Sequence, residues 1–312
     1  MNFKHMLKVM SCLISLGTVT GVHSESNQPF LLILGVAQDA GYPQAGCFKP
    51  HCMPGWHAPQ KRQHATSLAL VSPASNQTYL FEATPDLPEQ LYTLHNRVSS
   101  TQYSLAGVFV THAHIGHYAG LMYLGHEAMG ASDVPVYAMP RMTTFLRDNG
   151  PWSQLVSFQN ISLRKLQNNT PVGLQQISVI PFLVPHRDEF SETVGYSIRG
   201  PNASAVFIPD INKWHIWQQD LAEVVRQHDY ALLDATFFSG DELPGRDMSK
   251  VPHPLVTETM QLLSNQPDDI RQRVWFIHMN HTNPLLDKAS EEYQSVTNAG
   301  FNVAFAGLEL IL

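Results

Sequence analysis

No run of lysine or arginine occurs anywhere in this sequence, and 19 basic residues against 26 acidic ones leave a formal net charge of -7. Without a basic stripe there is no field to hold a nucleic-acid backbone, so a small or medium molecule is the expected substrate. Cysteine is scarce too: three in 312 residues exclude a small disulfide-stapled scaffold. Neither a Gly-x-Ser-x-Gly elbow nor a phosphate-cradling glycine loop is present, which argues against the serine hydrolases built on that elbow and against P-loop nucleotide enzymes. A chain of this length can bury a large core, and no low-complexity linker divides it.

Residues 1–24 read as a secretory leader. Lys4 and Lys8 precede a largely apolar stretch from Val9 to Val22, and Val22-His23-Ser24 offers a cleavage site before Glu25. The stretch is too short and interrupted to span a bilayer well, so the expectation is a periplasmic or secreted protein without stable membrane insertion. Residues 25–312 then form one domain whose only cysteines are Cys47 and Cys52. Five apart, they suit a small disulfide loop in an oxidising compartment. With His51, and with His57 or His64 as a fourth ligand, they equally suit a structural zinc site.

Histidine, by contrast, is plentiful at 16 residues, and its placement is informative. The run Gly107-Val-Phe-Val-Thr-His-Ala-His-Ile-Gly-His117 delivers three imidazoles into a turn after a short buried strand. Strand alternation aims His112 and His114 the same way, and His117 lies one turn further on. Imidazoles at that spacing suit zinc, iron, nickel or copper.

Further apolar runs read as strands at 30–36, 66–72, 78–82, 105–111, 177–184, 194–198, 205–208, 230–233, 274–277 and 302–305. Helices are expected from near Pro88 (capped by Asp86) and over 118–129, 214–227, 254–264 and 288–299. His186, Asp210 and His281 each follow one of the apolar runs. Ligands drawn from several strand ends of one α/β layer can converge on a single edge, where loops leave room for substrate.

With these residues in place the chain resembles the metallo-β-lactamase-fold superfamily, whose signature is His-x-His-x-Asp-His followed by separate His, Asp and His ligands. Within it the similarity points to the pyrroloquinoline-quinone biosynthesis protein B family. That similarity rests on Leu34-Gly-Val-Ala-Gln-Asp-Ala-Gly-Tyr-Pro-Gln44, Ala83-Thr-Pro-Asp-Leu87 and Phe276-Ile-His-Met-Asn-His-Thr-Asn-Pro284. The resemblance implies an αββα sandwich with metal in a cleft at the loop ends of two sheets. It implies that His112, His114 and His186 form a first metal site, that Asp210 bridges, and that His117 and His281 hold a second ion. Asp86 would steady a ligand histidine from beneath. Gly116 stands where the signature has an aspartate, so the second site is expected to be weaker unless Asp39, Asp188 or Asp241 folds in. On that view Gly116→Asp should raise its occupancy.

Two reaction classes fit such ligands. In hydrolysis, an ion such as zinc lowers the pKa of water toward 7 so that hydroxide can attack an ester, lactone, amide or phosphodiester. Asp210 would orient the attack and His253 would serve as general acid. In the alternative, histidines with one carboxylate hold a single iron for oxygenase or hydroxylase chemistry, as the resembled family's association with an oxidative step suggests. A non-catalytic carrier that keeps the ion as a staple is a third reading.

Overall fold

The computed structural model describes residues 28–98 and 102–312; the leader expected at 1–24 lies outside the described residues. Two seven-stranded sheets face each other. The first contains β1 (Phe30–Gly35), β2 (Ser67–Ser72), β3 (Gln77–Phe81), β4 (Ser104–Phe109), β5 (Val134–Ala138) and β6 (Ile161–Lys165). The second contains β7 (Val172–Leu174), β8 (Ile177–Leu183), β9 (Val194–Arg199), β10 (Ser204–Ile208), β11 (Tyr230–Asp234), β12 (Val274–Ile277) and β13 (Asn302–Val303). The last strand, β14 (Glu309–Ile311), returns to the first sheet beside β1, giving the orders β14-β1-β2-β3-β4-β5-β6 and β13-β12-β11-β10-β9-β8-β7.

Strand alternation explains the layering. In β1, Leu31 and Ile33 join the core between the sheets, while Phe30, Leu32 and Leu34 face the helix layer outside. Both faces are buried, so the run is apolar throughout. Between the sheets Phe81, Phe109 and Tyr137 stack at 5.1 and 4.4 Å, and Tyr196 donates its hydroxyl to the Val110 carbonyl at 2.6 Å. That bond ties the second sheet to the end of β4, just before the histidine motif. The outer helices are Leu87–Val98, Pro140–Asp148 and Trp152–Ser157 on one side, and Leu221–Arg226, Val256–Leu263 and Glu291–Asn298 on the other. This is the expected αββα sandwich.

Two helices differ from expectation. The segment at 118–129 is a single turn, Ile115–Tyr118, continued by a 3-10 stretch Ala119–Leu124. Its backbone is tied to the end of β3, since Ala83 donates to the His117 carbonyl and Gly120 to the Ala83 carbonyl. A Cβ on Gly120 would lie 2.0 Å from the Thr84 oxygen, so only glycine allows the approach. The segment at 214–227 breaks into Trp214–Ile216 and Leu221–Arg226, because Asp220 accepts from the Glu223 amide and starts a new helix.

Candidate metal centre

Pairing fixes the direction of every strand that leads to a polar residue of the site. β1, β3 and β4 run one way in the first sheet, and β8, β10, β11 and β12 share one direction in the second. Asp39, Glu82, His112, His186, Asp210, Asp234 and His278 all lie at or beyond the C-terminal ends of these strands. Open α/β sheets place ligands at that edge.

The first cluster is His112, His114, His186 and Asp210. His114 Nδ1 lies 2.9 Å from His112 Nε2 and 3.3 Å from His186 Nε2. Asp210 Oδ2 lies 3.3 Å from His112 Nε2 and 3.2 Å from His186 Nε2. Four donors bonded tetrahedrally at zinc's bond lengths stand about 3.3 Å apart. Each imidazole's other nitrogen is engaged: His112 Nδ1 with Thr111 Oγ1 at 2.8 Å, His186 Nδ1 with Asn212 Oδ1 at 3.2 Å, and His114 Nε2 with Glu189 Oε2 at 3.1 Å. Partners that accept the ring N–H leave the facing nitrogen as a lone pair, so three lone pairs and a carboxylate oxygen converge. Burial holds both His112 and His114 below the ordinary histidine range, keeping them neutral as ligands must be.

The second cluster is Asp39, His117 and His278. His117 Nε2 lies 3.4 Å from Asp39 Oδ1 and 3.7 Å from Asp210 Oδ2, and His278 Nε2 lies 3.8 Å from Asp39 Oδ1. Asp210 therefore stands between the clusters, the place expected of a bridging carboxylate. Burial would depress His117, but Glu82 and Asp39 outweigh it and hold its pKa well above the usual value. Burial would likewise raise Asp39, yet His117 brings it down to about 2.

Two expected roles move to neighbours. His281 does not reach the second cluster; His278 does. β12 ends at Ile277, His278 turns into the left-handed region at φ 67°, and its Nδ1 lies 3.0 Å from Thr236 Oγ1. Met279 then pairs with the β1 side of the cleft and leads His281 away. Asp86 steadies no ligand: its carboxylate accepts from the Ala65 amide at 2.7 Å and faces His64. The acid beneath the site is Glu82, fully buried, with Oε2 3.5 Å from His117 Nδ1. Of the other oxygens considered, Asp188 accepts from Thr193 and Asp241 is exposed, so neither joins the second cluster.

His253 does arrive beside Asp210. Its Nδ1 lies 2.9 Å from Asp234 Oδ2 and 3.2 Å from Asp210 Oδ1. Burial disfavours its charge, but the two carboxylates prevail and push its pKa up to about 10. Asp234, fully buried, also accepts from Ile211 and Thr236. It is a site residue that the sequence reading does not include, although it ends the apolar run 230–233 much as Asp210 ends 205–208.

His281 belongs to a separate group with Cys47, His51 and Cys52. The two sulfurs are joined as a disulfide, Cys47 Sγ lies 3.5 Å from His51 Nε2, and the His51 and His281 rings are 5.4 Å apart. Thus both readings of the cysteines use one place, with His51 as expected and His281 in the fourth position expected of His57 or His64. A Cys47→Ser variant is expected to free one thiol under non-reducing conditions and, in reduced protein, to cost one zinc per chain if the group binds zinc. Thiol titration and elemental analysis read the two outcomes.

The second cluster meets a test for metal independent of any family. His117 Nε2 and His278 Nε2 are buried with no hydrogen-bond partner. Leaving such atoms unpaired costs about 1–3 kcal/mol each, and an ion would satisfy both. A two-sheet sandwich with helices outside and a histidine–aspartate centre at the strand ends defines a protein of the metallo-β-lactamase type.

Residues 77–279 match the β-lactamase superfamily domain, and the chain belongs to that family. Its relatives include coenzyme PQQ synthesis protein B of Methylorubrum extorquens (strain PA1), 27% identical over 90% of this chain and 99% of the relative. The protein of that name from Xanthomonas campestris pv. campestris (strain B100) is 26% identical with the same coverage. Among solved structures, zinc-bound PqqB from Methylobacterium extorquens superposes with a TM-score of 0.74 at 24% identity, covering 91% of this chain and 100% of that one. A diphosphatase of the PhnP family gives 0.63 at 21% identity, covering 91% and 97%. Members of this fold family are mostly hydrolases, and the donor clusters support a metal cofactor.

Proposed function

We propose that the protein is an exported metal-dependent hydrolase acting on an ester, lactone, amide or phosphodiester of a small molecule. The observation that carries this reading is the convergence of three imidazole lone pairs and one carboxylate oxygen at 2.9–3.3 Å, with His253 beside them. The basic and apolar leader within residues 1–24 supports export.

His112, His114, His186 and Asp210 would hold one ion, and His117 and His278, with Asp210 shared, a second. Zinc is the metal the nitrogen-rich set suits best. A bound zinc supplies Lewis acidity at the scissile group and lowers the pKa of water toward neutrality. The chain's own residues do the rest. Thr111, Asn212 and Glu189 lock the ligand tautomers. Asp234 holds His253 through Nδ1, so its remaining nitrogen is free to give a proton to the leaving oxygen or nitrogen. Exposed Ile115 and Phe190 flank His114 and Glu189 in the chain and offer an apolar rim.

A second reading, an iron-dependent oxygenase, rests on the first cluster taken alone, since histidines with one carboxylate also suit a single iron. Metal content of protein purified without added metal or chelator separates the two. Zinc near one or two per chain, with turnover of esters, lactones or phosphodiesters, supports the hydrolase; iron near one with oxygen consumption supports the oxygenase. Absence of both metals overturns each. In the hydrolase, His253→Asn is expected to lower kcat about a hundredfold or more and to remove the alkaline limb of the pH profile, leaving metal content unchanged.

A further inference from the structure

Gly116 breaks the family's metal motif, and the structure shows what has taken its place. A Cβ at Gly116 would lie 2.4 Å from Asp39 Cα and 2.8 Å from both Asp39 Cβ and Asp39 O. The space an aspartate side chain would enter is filled by another aspartate, brought in from the loop after β1. Asp39 does more than fill it, since its Oδ1 faces His117 Nε2 at 3.4 Å and His278 Nε2 at 3.8 Å. Both nitrogens are buried and make no hydrogen bond.

The loop is built to deliver this carboxylate. Ala37 bridges to both Ala65 and Met279, and Gln38 donates to the Met279 carbonyl at 2.8 Å. Met279 directly follows His278, so the loop is stitched to the backbone that carries the ligand histidine. Gly41 closes the turn by donating to Gln38, and Asp39 sits in the left-handed region at φ 43°, which aspartate tolerates better than most residues. The carboxylate itself is 44% exposed, so it reaches the pair from the open side of the cleft.

We propose that Asp39 is the carboxylate ligand of the second metal ion, standing in for the aspartate that the motif lacks at Gly116, and that an aspartate at 116 and the present position of Asp39 exclude each other. The proposal rests on the two-ion reading above. It reverses the expectation from sequence for Gly116→Asp: the new side chain would displace the Asp39 loop, and second-site affinity would fall.

The test is zinc stoichiometry and affinity, read by competition with a chromophoric chelator, on wild type, Asp39→Asn, Gly116→Ala and Gly116→Asp. Circular dichroism confirms that each is folded. Wild type is expected to take two zinc ions at this centre, counted with Cys47 and Cys52 oxidised. Asp39→Asn should weaken the second by at least about a hundredfold, the upper end of what losing a mere supporting partner costs, with the first unchanged. Gly116→Ala, which adds bulk and no carboxylate, should weaken it too, in proportion to the shift of Asp39. Two ions bound by Asp39→Asn at wild-type affinity would overturn the proposal and leave the metallohydrolase reading standing. Tighter second-site binding in Gly116→Asp would overturn it as well. Wild type that binds no second ion at saturating zinc would overturn both the proposal and the two-ion reading.

Discussion

Replacing Asp210 by asparagine is expected to lower turnover by about a thousandfold, the upper range for losing one group aimed at a reacting centre, and to reduce metal content at both clusters together. No other residue of the site reaches both clusters and His253. Its Oδ2 lies 3.2–3.7 Å from His186, His112 and His117, and its Oδ1 lies 3.2 Å from His253. Burial would raise its pKa, but His253, His186 and His112 hold it well below the carboxylate range, so it remains the anion the imidazoles require. An amide keeps the shape and removes the charge. Elemental analysis beside steady-state kinetics checks the result, and His114→Ala provides the comparison because it should empty the first cluster more than the second. Full metal content with wild-type turnover in Asp210→Asn would remove Asp210 from the centre.

Asp210 is legible in the amino-acid sequence because it follows a run of apolar residues that can only be a buried strand, and the same holds for His112 and His186. The choice between His278 and His281 is not legible there. Both stand in Phe276-Ile-His-Met-Asn-His281, and what separates them is where β12 stops and which way the next residue turns, a matter of φ at one position. Asp39 has no local signal, for its contact with His117 joins segments far apart in sequence; the gap at Gly116 can be read, but its filler is only one of three candidate acids. Glu82 loses out to Asp86 in the sequence reading, though it directly follows the apolar end of β3.

The strands that the sequence does not announce lie toward sheet margins, where alternation weakens. Pro135 interrupts β5, β6 ends in exposed Arg164 and Lys165, and β7 and β14 are three residues long. None of them carries a site residue, so their faint signal leaves the reading of the site untouched.

Stripping the metal should cost the fold a great deal. His112, His117, His278, Asp210, Asp234 and Glu82 are all buried, so without an ion their donors face one another in a space that water scarcely enters. An ion that binds only the folded chain stabilises it by about 4 kcal/mol when present at a thousand times its dissociation constant. At roughly 2–4 °C per kcal/mol for a domain approaching this size, chelation is expected to lower Tm by about 8–16 °C. Calorimetry of the metal-loaded protein with and without chelator measures the shift. His112→Ala, lacking a first-cluster ligand, should start lower and move less when chelator is added. Chelator that removes the metal by elemental analysis yet leaves wild-type Tm in place would mean that the buried histidines and carboxylates satisfy one another, and that they are a structural hydrogen-bond network in which no ion is needed.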